Sequence, residues 1–406
     1  MSAGPQWTFK GPDKKPVEVA EVAEPSTELE FPEIAWRGAF AEYRCAMKDT
    51  TEACDVAHFA TFWSVAATVL GRRVWMPSGD TIYPNVYLCV FGDSGDKKTT
   101  AERRISSCNL LEHHPAVRMI RGVGSTEGMA DALTEAETNI YLFYWEEFAS
   151  MLSRARWTGS TLLEFITESF DCPDEWKTHY RKKPIYLDEP TPSILTATTT
   201  EWFWKYARAE DFLGGFGNRF LFLTGRKKAP LPNPLAIDGE RIHQIKEQLK
   251  LAAQHKHCAQ WTEGAEKIWN SFYVEIESRE RSGLLDAALK RTHVYVRKLA
   301  MTYAALENTL PLVHSSQLRA AIAVMRYAVC CVERLIEMQA TQNKPQAELE
   351  ERFLRYIGLH EDERVRRLQQ KMARYCGDAE TFNRVLKSLA QADRIEIHDR
   401  RVRLSI

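Results

Sequence analysis

The sequence predicts an α/β protein: a mostly parallel sheet covered by helices, helical segments before and after it, and a small C-terminal winged helix. Three observations carry that expectation. From about residue 82 short apolar runs recur: "VYLCVF" (86–91), "AVRMI" (116–120), "IYLFYW" (140–145), "SILTA" (193–197) and "FLFL" (220–223). They are continuous rather than alternating, as strands buried on both faces are, and the stretches between them can hold the helices that parallel connections need. Outside this span the apolar residues fall at helical spacing instead: Phe59, Phe62, Trp63, Ala66 and Leu70 before it, Met325, Val329, Val332 and Ile336 after it.

Taken in order, residues 1–30 lack periodicity and read as a flexible arm. Residues 31–80 form a helical segment, with helices within 37–71, and 81–230 form the sheet core. A Pro-rich joint, "KKAPLPNPLAIDG" (227–239), closes the core, and 231–340 reads as a helical lid. "ATQNKPQAE" (340–348) reads as a polar linker opening a last domain, 341–406, with helices expected at 346–358, 363–375 and 379–391. In the third of these Phe382, Val385, Leu386 and Leu389 make one core face, with Arg384, Lys387 and Gln391 on the other side. "RIEIHDRRVRLSI" (394–406) then alternates around a turn near Asp399, as a two-stranded wing does.

Bulk properties narrow the class. The chain has 406 residues, 44% hydrophobic and 27% charged, an ordinary globular composition. Its net charge of −1 gives no overall electrostatic footprint for nucleic acid, so any such surface is local. Nine cysteines form no C-x-x-C and no paired Cys/His spacing, and they read as reduced thiols of a cytoplasmic protein. Residues 1–30 hold no signal pattern, and the longest apolar stretch, "FATFWSVAATVLG" (59–71), is too short to cross a bilayer, so no membrane partner is expected.

The chemistry is concentrated at strand ends. "VFGDSGDKKTT" (90–100) follows the pattern G-x-x-x-x-G-K-[ST] from Gly92 to Thr99, except that Lys97 stands in the last glycine slot. Such a loop wraps phosphates in backbone N–H groups, with a lysine on the outer phosphates and a hydroxyl on magnesium. Gly92 and Gly95 supply the tight turns, Lys98 the cation and Thr99 the metal-side hydroxyl; together with Ser94, Lys97 and Thr100 they are the nucleotide-binding candidates, and "TTAERRISSCNLLE" from Thr99 follows as a helix. Lys97 in that slot requires a backbone that does not depend on positive φ. The alternative is a solvated lysine-rich turn. "IYLFYWEEF" (140–148) ends in two acids, Glu146 to hold magnesium and Glu147 to polarise an attacking water, or else a pair of surface acids. "SILTATTTE" (193–201) ends in hydroxyls, so Thr198 or Thr199 can hydrogen-bond a γ-phosphate or the water, a threonine-rich turn being the alternative. "EDFLGGFGNRFLFLTG" (210–225) sets Arg219 just before the last strand, a candidate arginine finger acting on a neighbouring subunit, or a structural ion pair.

In that order, the loop, the strand ending in two glutamates, "TATT", "GGFGNRF" and the later "RTHVYVRKLA" resemble the plasmid- and phage-type primase-helicase ATPases over roughly residues 31–340. The resemblance implies a RecA/AAA+-like P-loop core that commonly forms homo-oligomeric rings, with ATP and Mg2+ as cofactors. It implies that Lys97 is a family variant, since some members carry Arg or Lys there. Two departures stand out: Glu146 where the family more often shows aspartate, and no room for a primase domain, which would make any primase a separate partner. The resemblance also suggests a phosphate-sensing role for Arg291 or Arg297 on the lid, a solvated basic face being the alternative.

Two basic features offer DNA contacts. "EWKTHYRKKPIYLDEP" (175–190) reads as a hairpin with Arg181, Lys182 and Lys183 at its tip, where ring helicases grip a single strand; a plain surface hairpin is the alternative. Residues 351–406 carry thirteen Lys/Arg against nine Asp/Glu, +4 in a chain of net −1. Helix 379–391 with Arg384 and Lys387 is thus a candidate reader of duplex DNA, although winged helices also bind proteins. The expected function is an ATP-driven DNA motor, a replicative helicase or replication-initiation ATPase of a mobile element or phage. The alternatives are a nucleotide-switched loader or regulator with little hydrolysis, favoured by Lys97 and Glu146, and a DNA-binding scaffold with a vestigial loop.

Overall fold

In the computed structural model of the chain, the residues described are 29–406, apart from 123–127, 129–131, 134–137, 156–161, 180–183, 209–210, 213, 226, 280, 282, 361 and 406. Two helices open the described chain, α1 (Ala39–Met47) and α2 (Asp55–Leu70). The residues expected at helical spacing, Phe59, Phe62, Trp63, Ala66 and Leu70, lie in α2, and every residue from Val56 to Leu70 is buried. Its hydroxyls permit this by bonding within the helix: Thr61 donates to the Ala57 carbonyl (2.8 Å), Ser64 to Thr61 (2.8 Å) and Thr68 to Ser64 (2.6 Å). A helix so enclosed belongs between layers rather than on a surface.

The layer beside it is a sheet of five parallel strands: β1 (Tyr87–Phe91), β2 (Val117–Arg121), β3 (Ile140–Trp145), β4 (Thr191–Thr198) and β5 (Leu221–Thr224), in the order β2-β3-β4-β1-β5. All five residues of β1 and all eight of β4 are buried, which accounts for the unbroken apolar runs. Register is fixed along both flanks of β1, Phe91 standing opposite Thr198 of β4 and Thr224 of β5. Phe91, Phe148, Phe203 and Phe222 make an aromatic cluster that ties β1 and β5 to the short helices Phe148–Ala155 and Thr200–Tyr206. The segment after the loop, expected as one helix, is two: α3 (Lys98–Glu102) and α4 (Arg104–Ser107), broken at Arg103.

The lid region is helical, with α5 (Thr292–Leu306) packed between α2 and a helix of 45 residues, α6 (Ser315–Leu359). The Tyr295 hydroxyl of α5 accepts the Tyr87 N–H (3.1 Å) and lies within hydrogen-bond distance of the Tyr87 (2.8 Å) and Arg219 (2.6 Å) carbonyls, so the lid is bonded directly to β1. Segment 340–348, expected as a linker, is part of α6. A helix rich in Gln, Glu and Ala shares its composition with a polar linker. At about 1.5 Å per residue α6 spans on the order of 65 Å and runs without a break into the C-terminal segment. There Phe353 and Ile357 of α6 join Leu368 and Met372 of α7 (Val365–Cys376), and Phe382, Val385 and Leu389 of α8 (Ala379–Gln391), in a small core of their own. A three-stranded antiparallel sheet closes it, β6 (Glu363–Arg364), β7 (Ile395–His398) and β8 (Arg401–Leu404), with Asp399 and Arg400 at positive φ in the turn. No helix among the described residues is long and apolar enough to cross a membrane.

Candidate functional site

Parallel strands deliver their carboxyl ends to one edge of the sheet, and here three of the sequence-derived segments arrive together. β4 lies between β1 and β3, so the loop after β1 and the acids after β3 flank Thr198. The Gly92 N–H donates to the Thr198 carbonyl (3.3 Å), and the Thr198 hydroxyl donates to Glu147 Oε1, which also accepts the Ala149 N–H (3.3 Å). Both bonds fall on one carboxylate oxygen of Glu147. The other can take a hydrogen from a water, as a general base must. Thr199 is committed elsewhere, its side chain capping helix Thr200–Tyr206 through the Trp202 N–H. Glu146, in the bend just after β3, has a side chain 64% exposed and 3.7 Å from Arg103.

The loop is tied to itself and to its surroundings. Lys98 Nζ donates to the Gly92 (2.7 Å) and Asp93 (2.9 Å) carbonyls, and Asp96 Oδ2 accepts the Asp93 N–H (2.6 Å). Gly95 has φ 95°, with open space where a Cβ would stand, and Ser94 is exposed. Lys97 corrects the expectation made for it: it adopts the left-handed conformation, φ 53°, ψ 27°, that the glycine of the pattern would supply. A residue with a Cβ holds that conformation at a cost of about 1 kcal/mol, so something must hold it there. Its ammonium lies 2.8 Å from Glu52, which also accepts the Leu231 N–H (2.9 Å). Thr99 and Thr100 lie in the first turn of α3, and the Thr100 N–H donates to the Lys97 carbonyl (2.9 Å).

One acid here escaped the sequence reading. Glu102, one helical turn beyond Lys98, is 1% exposed, and its carboxylate makes no hydrogen bond of ordinary geometry, the buried Tyr144 hydroxyl beside it being unpartnered in the same way. Burial pushes its carboxyl up to about 8, against the lowering influence of the Tyr144 hydroxyl and Lys98. The i, i+4 spacing from Lys98 was the available signal, since it puts both side chains on one helix face.

The remaining candidates lie elsewhere. Arg219 precedes β5, at the amino edge of the sheet, roughly 15 Å below the loop at about 3.3 Å per strand residue. Its side chain is 13% exposed, donates to the Gly215 carbonyl and sits 3.6 Å from Asp171. The turn that delivers it is held close by Gly217, where a Cβ would run into the Phe212 ring. Arg291 joins the same aspartate through two bonds (2.6 and 3.2 Å) and lies over Phe170. Burial, then the charge of Arg291, hold the Arg219 guanidinium below its ordinary value. Arg297 stacks 4.0 Å from the Trp269 ring centroid, and burial lowers it to about 10. Arg181, Lys182 and Lys183 lie outside the described residues, although the strands Glu175–His179 and Pro184–Asp188 pair antiparallel on either side of them. Arg384 and Lys387 are exposed on α8, away from its core face.

For a polyphosphate the fitting groups are Lys98, the loop N–H donors and the Thr99 hydroxyl, all at the edge where Glu147 stands. Among the described residues no cluster of three or more His, Cys, Asp or Glu side chains is arranged to hold a metal ion by itself. A scan of the chain against protein-family models finds no match, and a search of curated proteins finds none either.

Proposed function

We propose that the chain is an ATP-driven DNA motor, a replicative helicase or replication-initiation ATPase of a mobile element or phage. The observation that carries this reading is the convergence of Lys98, Thr198 and Glu147 at the carboxyl edge of one parallel sheet. In it the sheet is a RecA/AAA+-like P-loop core, and the loop Gly92–Thr100 binds the phosphates of ATP through Lys98 and backbone N–H groups. Thr99 and Glu146 would hold Mg2+, which when bound neutralises charge on the phosphate oxygens. Glu147, its carboxylate oriented by Thr198 and the Ala149 N–H, takes the proton of the attacking water.

The C-terminal segment is read as a winged helix with α8 as its DNA-reading helix, supported by exposed Arg384 and Lys387 and by β7 and β8 as the wing. Arg219 is read as acting on a neighbouring copy in a ring. The hairpin bearing Arg181, Lys182 and Lys183 is read as gripping single-stranded DNA. A second reading, a nucleotide-switched loader with little hydrolysis, is favoured by one observation: Glu146 is largely exposed and turned toward Arg103.

Steady-state ATP hydrolysis with and without single-stranded DNA, beside Lys98→Ala, separates them. The motor gives DNA-stimulated turnover that the substitution lowers at least about a hundredfold. Nucleotide binding without turnover selects the switch. Absence of nucleotide binding removes both.

A further inference from the structure

The loop carries a negative charge of its own where a phosphate-binding loop needs its donors open. Asp96 Oδ2 takes the Asp93 N–H at 2.6 Å. It also lies close over Gly92, where a Cβ would come within 2.8 Å of the same oxygen. Lys98, the one cation suited to the outer phosphates, spends two of its three protons on the Gly92 and Asp93 carbonyls. Lys97 is drawn away from the loop to Glu52. A phosphate oxygen reaching the Asp93 N–H meets a carboxylate already bonded there. Two anions on one donor repel, and the repulsion grows as water is excluded.

Resting on the nucleotide reading above, we propose that Asp96 sets how readily the loop accepts a phosphate: its carboxylate stands in for phosphate at the Asp93 N–H and must swing out when a polyphosphate enters. Asp96 is then a residue that tunes affinity through the loop, not a catalytic one. The observed affinity is the intrinsic affinity reduced by the fraction of loops in which Asp96 has left, so removing its charge recovers that fraction. Asn separates charge from shape, because its amide oxygen still accepts the Asp93 N–H while the repulsion is gone.

The test is the affinity of the full-length protein for inorganic pyrophosphate and for ADP, by titration calorimetry at low and high salt, in wild type, Asp96→Asn, Asp96→Ala and Lys98→Ala. Expected are affinities about five- to tenfold tighter than wild type in both Asp96 variants, with the gain shrinking as salt rises. Lys98→Ala should lose binding. Wild-type affinity or weaker in Asp96→Asn, with Lys98→Ala still defective, overturns the role of Asp96 and leaves the nucleotide reading standing. No phosphate-dependent binding in wild type or either Asp96 variant overturns both.

Discussion

The two edges of the central sheet treat charge in opposite ways. At the amino edge the described charges sit beside charged or polar partners, although Arg219 Nε itself has no hydrogen bond. Arg219 and Arg291 share Asp171, Arg291 also covers Phe170, and the fully buried Lys298 ammonium donates to the Tyr83 carbonyl (2.8 Å) and Asn85 Oδ1 (2.6 Å). At the carboxyl edge Lys97 has Glu52, but the charges that face the site have weaker partners. Lys98 rests on carbonyls, Glu147 on a hydroxyl and an amide, and Glu102 is buried with the Tyr144 hydroxyl beside it but no hydrogen bond of ordinary geometry. Buried polar groups without strong partners raise the energy of a fold and persist where a ligand or a reaction uses them. The contrast also separates Lys98 from Arg219 by most of the length of a strand, further than an arginine side chain reaches. If the two serve one reaction, they come from two copies of the chain.

The largest expected effect tests that separation. Arg219→Ala should lower ATP turnover by about a thousandfold, the usual scale for an arginine finger, without weakening nucleotide binding to the same chain. Mixed with Lys98→Ala, expected to be inactive, it should recover part of the wild-type rate, because in the proposed ring an intact loop meets an intact arginine. No recovery at any mixing ratio would break the comparison, leaving Arg219 as the structural partner of Asp171.

Next in size is the buried acid. An unfolded chain releases the Glu102 proton near pH 4.5, whereas the fold holds it to about 8. The contribution of Glu102 to stability therefore falls as pH rises through that window, since the folded state binds the extra proton. Glu102→Gln has no proton to lose. Its stability relative to wild type should be close to zero near pH 4.5 and grow to a gain on the order of a few kcal/mol by pH 8. Urea denaturation at pH 5 and pH 8 measures this, and an equal difference at both would mean the carboxyl is not held protonated. The amino edge gives the control: Asp171 is 54% exposed and shared by two arginines, and its amide variant should lose stability instead.

What could be read in the sequence follows the same division. Strands buried on both faces write themselves as unbroken apolar runs, so β1, β3 and β4 were legible with the residues at their carboxyl ends. Thr198 and Glu147 were each chosen from their own strand, but their contact depends on β4 lying between β1 and β3, and strand order leaves no mark on local pattern. Glu102 was hidden for a related reason: a charged residue on a helix reads as surface unless its helix is known to lie against a sheet. The stretch 340–348 failed differently, because a polar helix and a linker share a composition, and only continuity with helical turns on both sides distinguishes them.

The smallest expected effect concerns Lys97, where the sequence reading and the structure disagree outright. At an ordinary exposed helical position Ala is more stable than Gly by about 1 kcal/mol, because glycine has more backbone freedom to lose. At φ 53° the order should reverse, since alanine meets the left-handed penalty and glycine does not. Lys97→Gly should therefore exceed Lys97→Ala in stability by about 1 kcal/mol, and because both variants remove the contact with Glu52, their difference isolates the backbone. Chemical denaturation of the pair resolves it. The ordinary order, Ala above Gly, would mean that the loop does not hold Lys97 left-handed. The glycine missing from the pattern would then be no loss, and the tether to Glu52 would have no strain to hold.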